Sequence, residues 1–271
     1  MRVIYIAGTS HSGSSLFSLM LNAHPEIISV GELIDLNRRL QPSDNGRYTP
    51  CSCGAPSLWQ CEFWSRVNEV AQQTEGRSLG ELDVRSYSDL DERRSPNAAV
   101  FRAISKAAGG RLIVDSSKRP GRLSYLMQLK GVEVFPIHLV RDPRGQICSM
   151  VRKSGGFFKH IYNYTLIHER IRWLLRATPH AVVQYEELVH DPERTLGSVL
   201  EPLGLRFDSR QLLGSEQVQH TLSGNKFRWR PKGIVLDQRW KQSPSQSQQL
   251  AIRLGTAYSW HRLSKPARGG G

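Results

Sequence analysis

GTSHSGSS, running from Gly8 to Ser15, is the most informative segment of this chain. Its glycines have the Gly-x4-Gly-x-[Ser/Thr] spacing of a loop that binds nucleotide phosphates, but Ser14 stands where such loops carry a lysine. Residues 3–7 before it predict a short apolar strand, and residues 16–21 after it predict a helix. A strand, a glycine turn and a helix in this order present backbone N–H groups to an anion. Because the lysine that holds the β- and γ-phosphates is missing, the loop favours a 5′-phosphate that carries another group.

A second motif follows a predicted strand at residues 134–140. It reads Arg141-Asp142-Pro143-Arg144, and Ser149 lies two helical turns further on. Asp142 suits a helix N-cap, and the proline suits the first helical position. Arg141 would then lie at the carboxyl end of the strand, where open α/β sheets bind ligands. Together with Ser149 it would hold a second phosphate, although an ordinary strand-to-helix junction with solvated arginines is the alternative.

Together, the two motifs resemble the sulfotransferases that use 3′-phosphoadenosine 5′-phosphosulfate (PAPS). In that family a loop ending in Ser-Gly-[Ser/Thr]-[Ser/Thr] holds the 5′-phosphosulfate, and an arginine with a serine eight residues later holds the 3′-phosphate. The resemblance implies PAPS as the donor and its desulfated form, PAP, as the product. It also implies that these residues bind the donor: His11, Ser12, Gly13, Ser14, Ser15, Arg141 and Ser149.

Further segments between about residue 3 and residue 241 resemble the bacterial, carbohydrate-type and tyrosylprotein branches of the family. The last of them resembles the segment that closes over the nucleotide and implies a 3′-phosphate contact from Arg228 or Lys232, although Pro231 interrupts the usual pattern. The matching segments are Ala23-His24-Pro25-Glu26 with Gly31-Glu32, Asp115-Ser116-Ser117-Lys118, Tyr185-Glu186-Glu187-Leu188 and residues 224–233.

Sulfuryl transfer requires a general base for the acceptor and a cation for the departing phosphate. Glu32 resembles the catalytic glutamate of the tyrosylprotein branch by position, the alternative being a carboxylate that stabilises a helix N-terminus. The family usually has a lysine or arginine where His11 stands, and a histidine is only partly charged near pH 7. His11 and Lys118 therefore both remain candidates for the catalytic cation. No metal is expected, because basic side chains and helix N–H groups can serve instead.

The composition limits which classes of function the chain can have. The chain has 271 residues, with 37 Lys+Arg against 24 Asp+Glu and a formal net charge of +13. This excess would attract a polyanionic donor, but it would also suit nucleic acid, a membrane surface or an acidic glycan. Two alternatives therefore stay open. One is a P-loop kinase or NTPase with Asp115 as its metal-holding acid, and the other is a basic nucleic-acid-binding protein without catalysis.

The acceptor is the least determined part of the prediction. We expect a small-molecule, lipid or glycan hydroxyl, or an amine, and no nucleic-acid partner; the oligomeric state is open. No apolar run is long enough to span a membrane, so we expect a soluble, cytoplasmic protein. We expect one domain at residues 1–266, with an irregular insertion at about 35–98 that shapes the acceptor site, and a flexible tail at 267–271.

The coarse secondary structure predicts an α/β fold of three layers, P-loop-like, with a central parallel sheet flanked by helices. Strands are expected near residues 2–7, 111–115, 133–140 and 180–185. An amphipathic helix is expected to bury His168 as a packed histidine, in a stripe of Phe158, Ile161, Tyr164, His168, Ile171 and Leu175.

The cysteines are Cys51, Cys53, Cys61 and Cys148. The first three lie close together in a loop-rich segment, without the paired Cys-x2-Cys spacing of a zinc finger. Reduced structural thiols are expected, with a disulfide, or zinc bound with help from an outside ligand, as the alternatives.

Overall fold

A computed structural model describes residues 1–213, 218–223, 233–242 and 244–264 of the chain. Arg228, Lys232 and the tail at 267–271 lie outside the described residues, so their predicted roles stay predictions. In the described part, the elements in chain order are β1 (Arg2–Ala7), α1 (Ser14–Asn22), β2 (Ile27–Gly31), α2 (Leu36–Leu40), α3 (Glu62–Glu75), α4 (Pro96–Ala107), β3 (Leu112–Lys118), α5 (Pro120–Leu126), β4 (Glu133–Val140), α6 (Pro143–Ser154), α7 (Phe157–Leu175), β5 (Ala181–Gln184), α8 (Tyr185–His190), α9 (Pro192–Leu200) and α10 (Gln246–Leu263).

The strands form one parallel sheet in the order β2-β3-β1-β4-β5. Alternate residues of β1 face two different apolar clusters, because Val3 and Tyr5 belong to one while Ile4 and Ile6 belong to the other. Helices therefore cover both faces of the sheet, which is why β1 is apolar throughout rather than alternating. The predicted three-layer fold with a central parallel sheet is confirmed.

Four of the five strands lie where the sequence predicts them, and β2 is the one it misses. The five residues of β2 are all buried, so they show no alternation between apolar and polar side chains. The prediction also ends β3 too early. The strand continues through polar residues to Lys118, which pairs with Ala7 of β1.

The predicted irregular insertion at 35–98 contains more regular structure than expected. Helix α3 is 14 residues long, and it packs against α4 with Trp64 and Val67 fully or almost fully buried. Both residues belong to the same apolar cluster as Val3 and Tyr5 of the central strand. This part of the segment therefore belongs to the core, and its many polar residues conceal a single apolar helix face.

Helix α7 has the predicted buried stripe, with one exception. Ile161, Tyr164, His168, Ile171 and Leu175 are buried, whereas Phe158 is 75% exposed. At 3.6 residues per turn, position 158 points about 100° away from the centre of the stripe. The partly buried Phe157 takes the expected place against the core.

Parallel strands end at the same edge of the sheet, and this edge carries the predicted functional residues. Gly8 follows β1, Glu32 follows β2, Lys118 ends β3 and Arg141 follows β4. Such an edge is where open α/β sheets bind ligands. Among the described residues, no helix is both long and apolar enough to cross a membrane.

Candidate active site

The loop between β1 and α1 is held in one conformation by close backbone packing. Gly13 has a φ of 94°, a left-handed conformation, and a Cβ atom there would overlap the ring of Tyr185. A Cβ atom on Gly8 would lie 2.7 Å from the carbonyl oxygen of Leu139. Glycine is therefore required at both positions, which explains the spacing seen in the sequence. Helix α1 begins directly after Gly13, so the loop leads into the positively polarised N-terminus of a helix.

The two motifs identified in the sequence meet at His11. The Arg141 guanidinium donates a hydrogen bond from Nη1 to the His11 carbonyl oxygen at 3.0 Å. The Ser149 hydroxyl lies 2.9 Å from Nδ1 of the His11 ring. As predicted, the Asp142 side chain caps α6 by accepting a hydrogen bond from the Arg144 N–H, and Pro143 begins the helix. The structure thus brings the phosphate loop and the Arg141–Ser149 motif together.

His11 is not a cation at neutral pH in the protein without ligand. Partial burial, together with the positive charges of Lys153, Arg141, Lys118 and Arg152, lowers its pKa to about 4. Protonating the ring would add a charge to an already positive region. His11 is consequently suited to hydrogen bonding, and the charge at this end of the loop comes from its neighbours.

Glu32 and Lys118 form an ion pair beside the loop. The Lys118 ammonium lies 2.7 Å from Oε1 of Glu32, and the side chains are 10% and 25% exposed respectively. Lys118 also donates to the carbonyl oxygen of Ser116 at 3.2 Å. Its own carbonyl accepts a hydrogen bond from the Gly8 N–H at 3.4 Å, which connects β3 to the start of the phosphate loop. A carboxylate and an ammonium group are therefore fixed together at the ends of β2 and β3.

The turn that carries Glu32 is held by buried polar groups of β3. Asp115 accepts a hydrogen bond from the Leu33 N–H at 3.3 Å, and the Ser117 hydroxyl accepts one from the Ile34 N–H at 3.0 Å. Asp115 also forms an ion pair of 2.8 Å with Arg122, and neither side chain has any exposed area. Asp115 is thus committed to positioning the turn. It does not face a ligand, which removes the acid that the kinase alternative needed.

A comparison with models of protein families identifies the family to which the chain belongs. A model described as the sulfotransferase family matches residues 3–209, a range that includes the loop, Glu32, Lys118, Arg141 and Ser149. The chain belongs to the sulfotransferase family. It is accordingly an enzyme of the sulfotransferase type. No curated protein sequence matches it.

Solved sulfotransferase structures share the fold. The sulfotransferase domain of the Synechococcus PCC 7002 olefin synthase is 20% identical with a TM-score of 0.68, over 98% of this chain and 95% of that domain. Sulfotransferase STF9 from Mycobacterium avium is 10% identical with a TM-score of 0.55, over 99% of this chain and 78% of that one. Mouse sulfotransferase SULT7A1, solved in complex with PAP, is 12% identical with a TM-score of 0.53, over 97% of this chain and 85% of that one.

An open pocket in this sulfotransferase lies between helix α1 and the turn that carries Glu32. Most of its lining side chains carry a hydroxyl, amide or carboxylate group. The lining residues are Ser14, Ser15, Ser18, Leu19, Gly31, Glu32, Ser116, Gln219, Thr221 and Ser223. Ser12 does not line the pocket, because its side chain is fully buried. Its hydroxyl has no hydrogen-bond partner among the described residues.

Asp237 is a site residue that sequence reasoning missed. Its carboxylate lies 3.3 Å from Nη2 of Arg141, and its carbonyl oxygen accepts a hydrogen bond from the same nitrogen at 3.2 Å. The Arg141 guanidinium also lies 4.6 Å from the centre of the Tyr185 ring. Arg141 is thus 5% exposed and engaged by protein groups on several sides. Arg141 and Asp237 are 96 residues apart, and no pattern in the sequence links them.

Proposed function

We propose that this sulfotransferase moves a sulfuryl group from PAPS to a hydroxyl or amine of a small-molecule, lipid or glycan acceptor, with Glu32 as the general base. The observation that carries the proposal is the ion pair of 2.7 Å between Glu32 and Lys118 at the pocket that Ser14 and Ser15 also line. A base, a cation and a phosphate-binding helix end are the groups that in-line sulfuryl transfer requires. Family membership supports the reaction class.

Each group has a defined role in the proposed reaction. Glu32 takes the proton of the acceptor while the acceptor oxygen or nitrogen forms a bond to sulfur. The bond between sulfur and the 5′-phosphate oxygen of the donor breaks, and PAP leaves with the electron pair. Lys118 orients the Glu32 carboxylate and provides the positive charge that stabilises the transferred and departing oxygens. His11, as a neutral ring, contributes a hydrogen bond.

Two separate groups are proposed to hold the donor. The N–H groups at the start of α1, with Ser14 and Ser15, bind the 5′ side, as helix ends bind phosphates elsewhere. Arg141 and Ser149 bind the 3′-phosphate, and Arg228 or Lys232 stays a candidate for the same group. The structural similarity to mouse SULT7A1, which was solved with PAP, supports an adenosine bisphosphate as the ligand.

The pocket favours a polar acceptor within the proposed classes. Eight of its ten lining residues are Ser, Thr, Gln or Glu. Hydroxyl and amide groups pair with the several hydroxyls of a sugar better than with an apolar ring, since a buried polar group without a partner costs free energy. A glycan or another polyhydroxylated small molecule is therefore the first acceptor class to test.

Radiolabelled transfer is the experiment that tests this function. The purified protein is incubated with PAPS labelled at sulfur and a panel of sugars, phenols, amines and lipids, and labelled products are separated. Glu32→Gln is expected to reduce turnover by about 10²- to 10⁴-fold, the usual contribution of a general base, while PAP affinity changes by less than about twofold. Glu26→Gln, at an exposed position just before β2, is the matched control and should retain wild-type turnover.

Two results would contradict the proposal. Glu32→Gln with unchanged turnover would remove Glu32 from the mechanism. Transfer of label from the γ-position of ATP, with no transfer from PAPS, would instead favour the phosphoryl-transfer alternative.

A further inference from the structure

Three cysteines that lie close together in sequence and one histidine far from them meet beside the pocket. The Sγ atoms of Cys51, Cys53 and Cys61 and a ring nitrogen of His220 all lie within 4.8 Å of one another. Within this set, the Cys53 and Cys61 sulfurs are 3.6 Å apart, and Cys61 Sγ is 3.2 Å from Nδ1 of His220. Cys51 and Cys61 are buried, whereas Cys53 and His220 are partly buried. None of the cysteines is in a disulfide.

We propose that Cys51, Cys53, Cys61 and His220 bind a structural zinc ion. A tetrahedral zinc site with bonds of about 2.3 Å to sulfur and about 2.05 Å to nitrogen places neighbouring sulfurs about 3.8 Å apart and sulfur and nitrogen about 3.6 Å apart. The separations of 3.6 Å between the Cys53 and Cys61 sulfurs and 3.2 Å between Cys61 and His220 lie within about 0.4 Å of these values, and the other pairs lie within 4.8 Å. Three thiolates and one imidazole form a complete set of four ligands, which is the composition of structural zinc sites rather than catalytic ones.

A tight turn and the start of a helix position the cysteines of the cluster. Residues 51–54 form a tight turn, in which the Gly54 N–H donates to the Cys51 carbonyl at 3.0 Å, and Gly54 has a φ of 97°. Cys61 is the N-cap residue of α3. A helix N-terminus stabilises a thiolate, the form of cysteine that binds zinc.

The zinc ion would join the cysteine turn to the segment at residues 218–223. That segment already contacts the turn, because the Ser52 hydroxyl donates to the Gln219 carbonyl and accepts from the Thr221 N–H, each at 2.8 Å. The Trp64 indole donates to the His220 carbonyl at 2.8 Å, and the Phe63 ring stacks on the His220 ring. A bond between His220 and the metal would fix the same attachment with much greater strength.

This attachment reaches the pocket directly. Leu222 donates a backbone hydrogen bond of 3.0 Å to Val30 of β2, so the segment runs beside the strand that leads to Glu32. Gly31 permits this approach, since a Cβ atom there would lie 3.0 Å from the Ser223 carbonyl oxygen. Gln219 and Ser223 line the pocket. The zinc site would therefore hold the pocket wall next to the proposed base, without itself touching the acceptor.

Metal analysis of the purified full-length protein tests the proposal independently of sulfuryl transfer. We expect about one zinc ion per chain by plasma mass spectrometry, and a cobalt-substituted protein with the visible absorption of a tetrahedral sulfur-rich site. His220→Ala should lose most of the zinc and melt at a lower temperature. His220→Cys replaces one zinc ligand by another and should retain the metal. His180→Ala, at an exposed histidine away from the cluster, is the matched control and should retain it as well.

Several outcomes would overturn the inference. Wild-type protein that contains no zinc and binds none when it is added, with four thiols that react with iodoacetamide, would show ordinary reduced cysteines. Two reactive thiols in place of four would show a disulfide. Zinc content that is unchanged in His220→Ala would place the metal elsewhere. If His220→Ala does not fold, the cobalt spectrum of the wild-type protein still decides whether the ligands are three thiolates and one nitrogen.

Discussion

His11 and Lys118 are the two residues other than glycine that have a positive φ among the described residues, at 64° and 65°. This left-handed conformation is unfavourable for a residue with a side chain and is found where the surrounding structure imposes it, often at functional sites. Both residues lie at the proposed donor site, and Gly8 hydrogen-bonds to Lys118. The strained backbone positions are therefore the same two residues, His11 and Lys118, that the sequence offered as alternative catalytic cations.

Lys118 is the residue that we expect to supply the catalytic charge. Lys118→Met keeps the length of the side chain and removes the ammonium group beside Glu32, and we predict a fall in turnover of about 10²- to 10³-fold. His11→Gln retains a neutral hydrogen-bonding group and should lower turnover by less than about tenfold. Turnover with saturating PAPS measures both. A larger loss in His11→Gln than in Lys118→Met would assign the cation role to the histidine.

At the level of single residues, the sequence predicted those features that depend on a local pattern of a few residues. The positions of Arg141, Asp142 and Pro143 followed from the helix start signals, because caps act over a few residues. Asp237 and His220 could not be predicted, since each meets its partners only through the tertiary fold. The cysteine cluster shows this directly, because its fourth ligand lies 159 residues from Cys61.

Strand β4 and helix α7 are joined by a buried pair of histidines behind the phosphate loop. His138 Nε2 lies 2.8 Å from His168 Nδ1, and His168 Nε2 lies 3.4 Å from the Thr9 hydroxyl. Burial lowers the pKa of His168 to about 3. Burial, with the neighbouring His168, also lowers the pKa of His138. His168 is therefore a packed histidine, as the sequence predicted, and it supports the loop from beneath.

This pair makes stability sensitive to acid. Because burial favours the neutral rings, their pKa values are lower in the folded protein than in the unfolded chain. As the pH falls below about 6.5, the unfolded chain therefore binds protons before the folded protein does. The free energy of unfolding then decreases progressively until the pH reaches the pKa of the folded state. His168 alone should account for about 2 kcal/mol of the loss between pH 7 and pH 5. Denaturant unfolding at the two pH values should thus show a smaller loss in His168→Gln than in the wild type. The exposed control His180→Gln should lose as much as the wild type, and equal losses in all three proteins would contradict the assignment.

Elements were predictable where their pattern was strong. Strand β1 and helix α7 have long apolar or amphipathic patterns, and both were found near their predicted positions. Strand β2 was missed because it is short and buried on both faces, and α3 because charged residues obscure its apolar face. The polar end of β3 was missed for another reason. Its last residues, Ser116, Ser117 and Lys118, are buried polar residues, which local propensity does not favour in a strand.

At the scale of the whole molecule, the positive charge is concentrated in segments that contribute to the site. Residues 118–153 include eight basic and two acidic residues, among them Lys118 and Arg141. A field of this sign attracts an anionic donor and weakens as salt screens it. We predict that raising the ionic strength from about 0.05 M to about 0.3 M weakens PAP binding severalfold, as measured by calorimetry. Adenosine, which lacks phosphates, is the control and should show little change; equal changes for the two ligands would contradict the prediction.

The fold and the shared edge of the sheet could be predicted from the sequence because a parallel sheet brings its strand ends together. That residues 1–266 form a single domain stays a prediction. The identity of the acceptor depends on the shape and lining of the pocket, and residues distant in sequence supply part of that lining. Gln219, Thr221 and Ser223 belong to a segment that no local pattern linked to Glu32.

The central claim is that Arg141 holds the 3′-phosphate of the donor while the loop holds the 5′ side. Calorimetric titration of the wild type and Arg141→Ala with PAP and with adenosine 5′-monophosphate, which lacks the 3′-phosphate, tests it most directly. The account predicts that Arg141→Ala weakens PAP binding by about 1.5 to 3 kcal/mol, or about 10- to 150-fold, and changes binding of the monophosphate by less than about threefold. An equal loss for both nucleotides, or no loss for PAP, would contradict it.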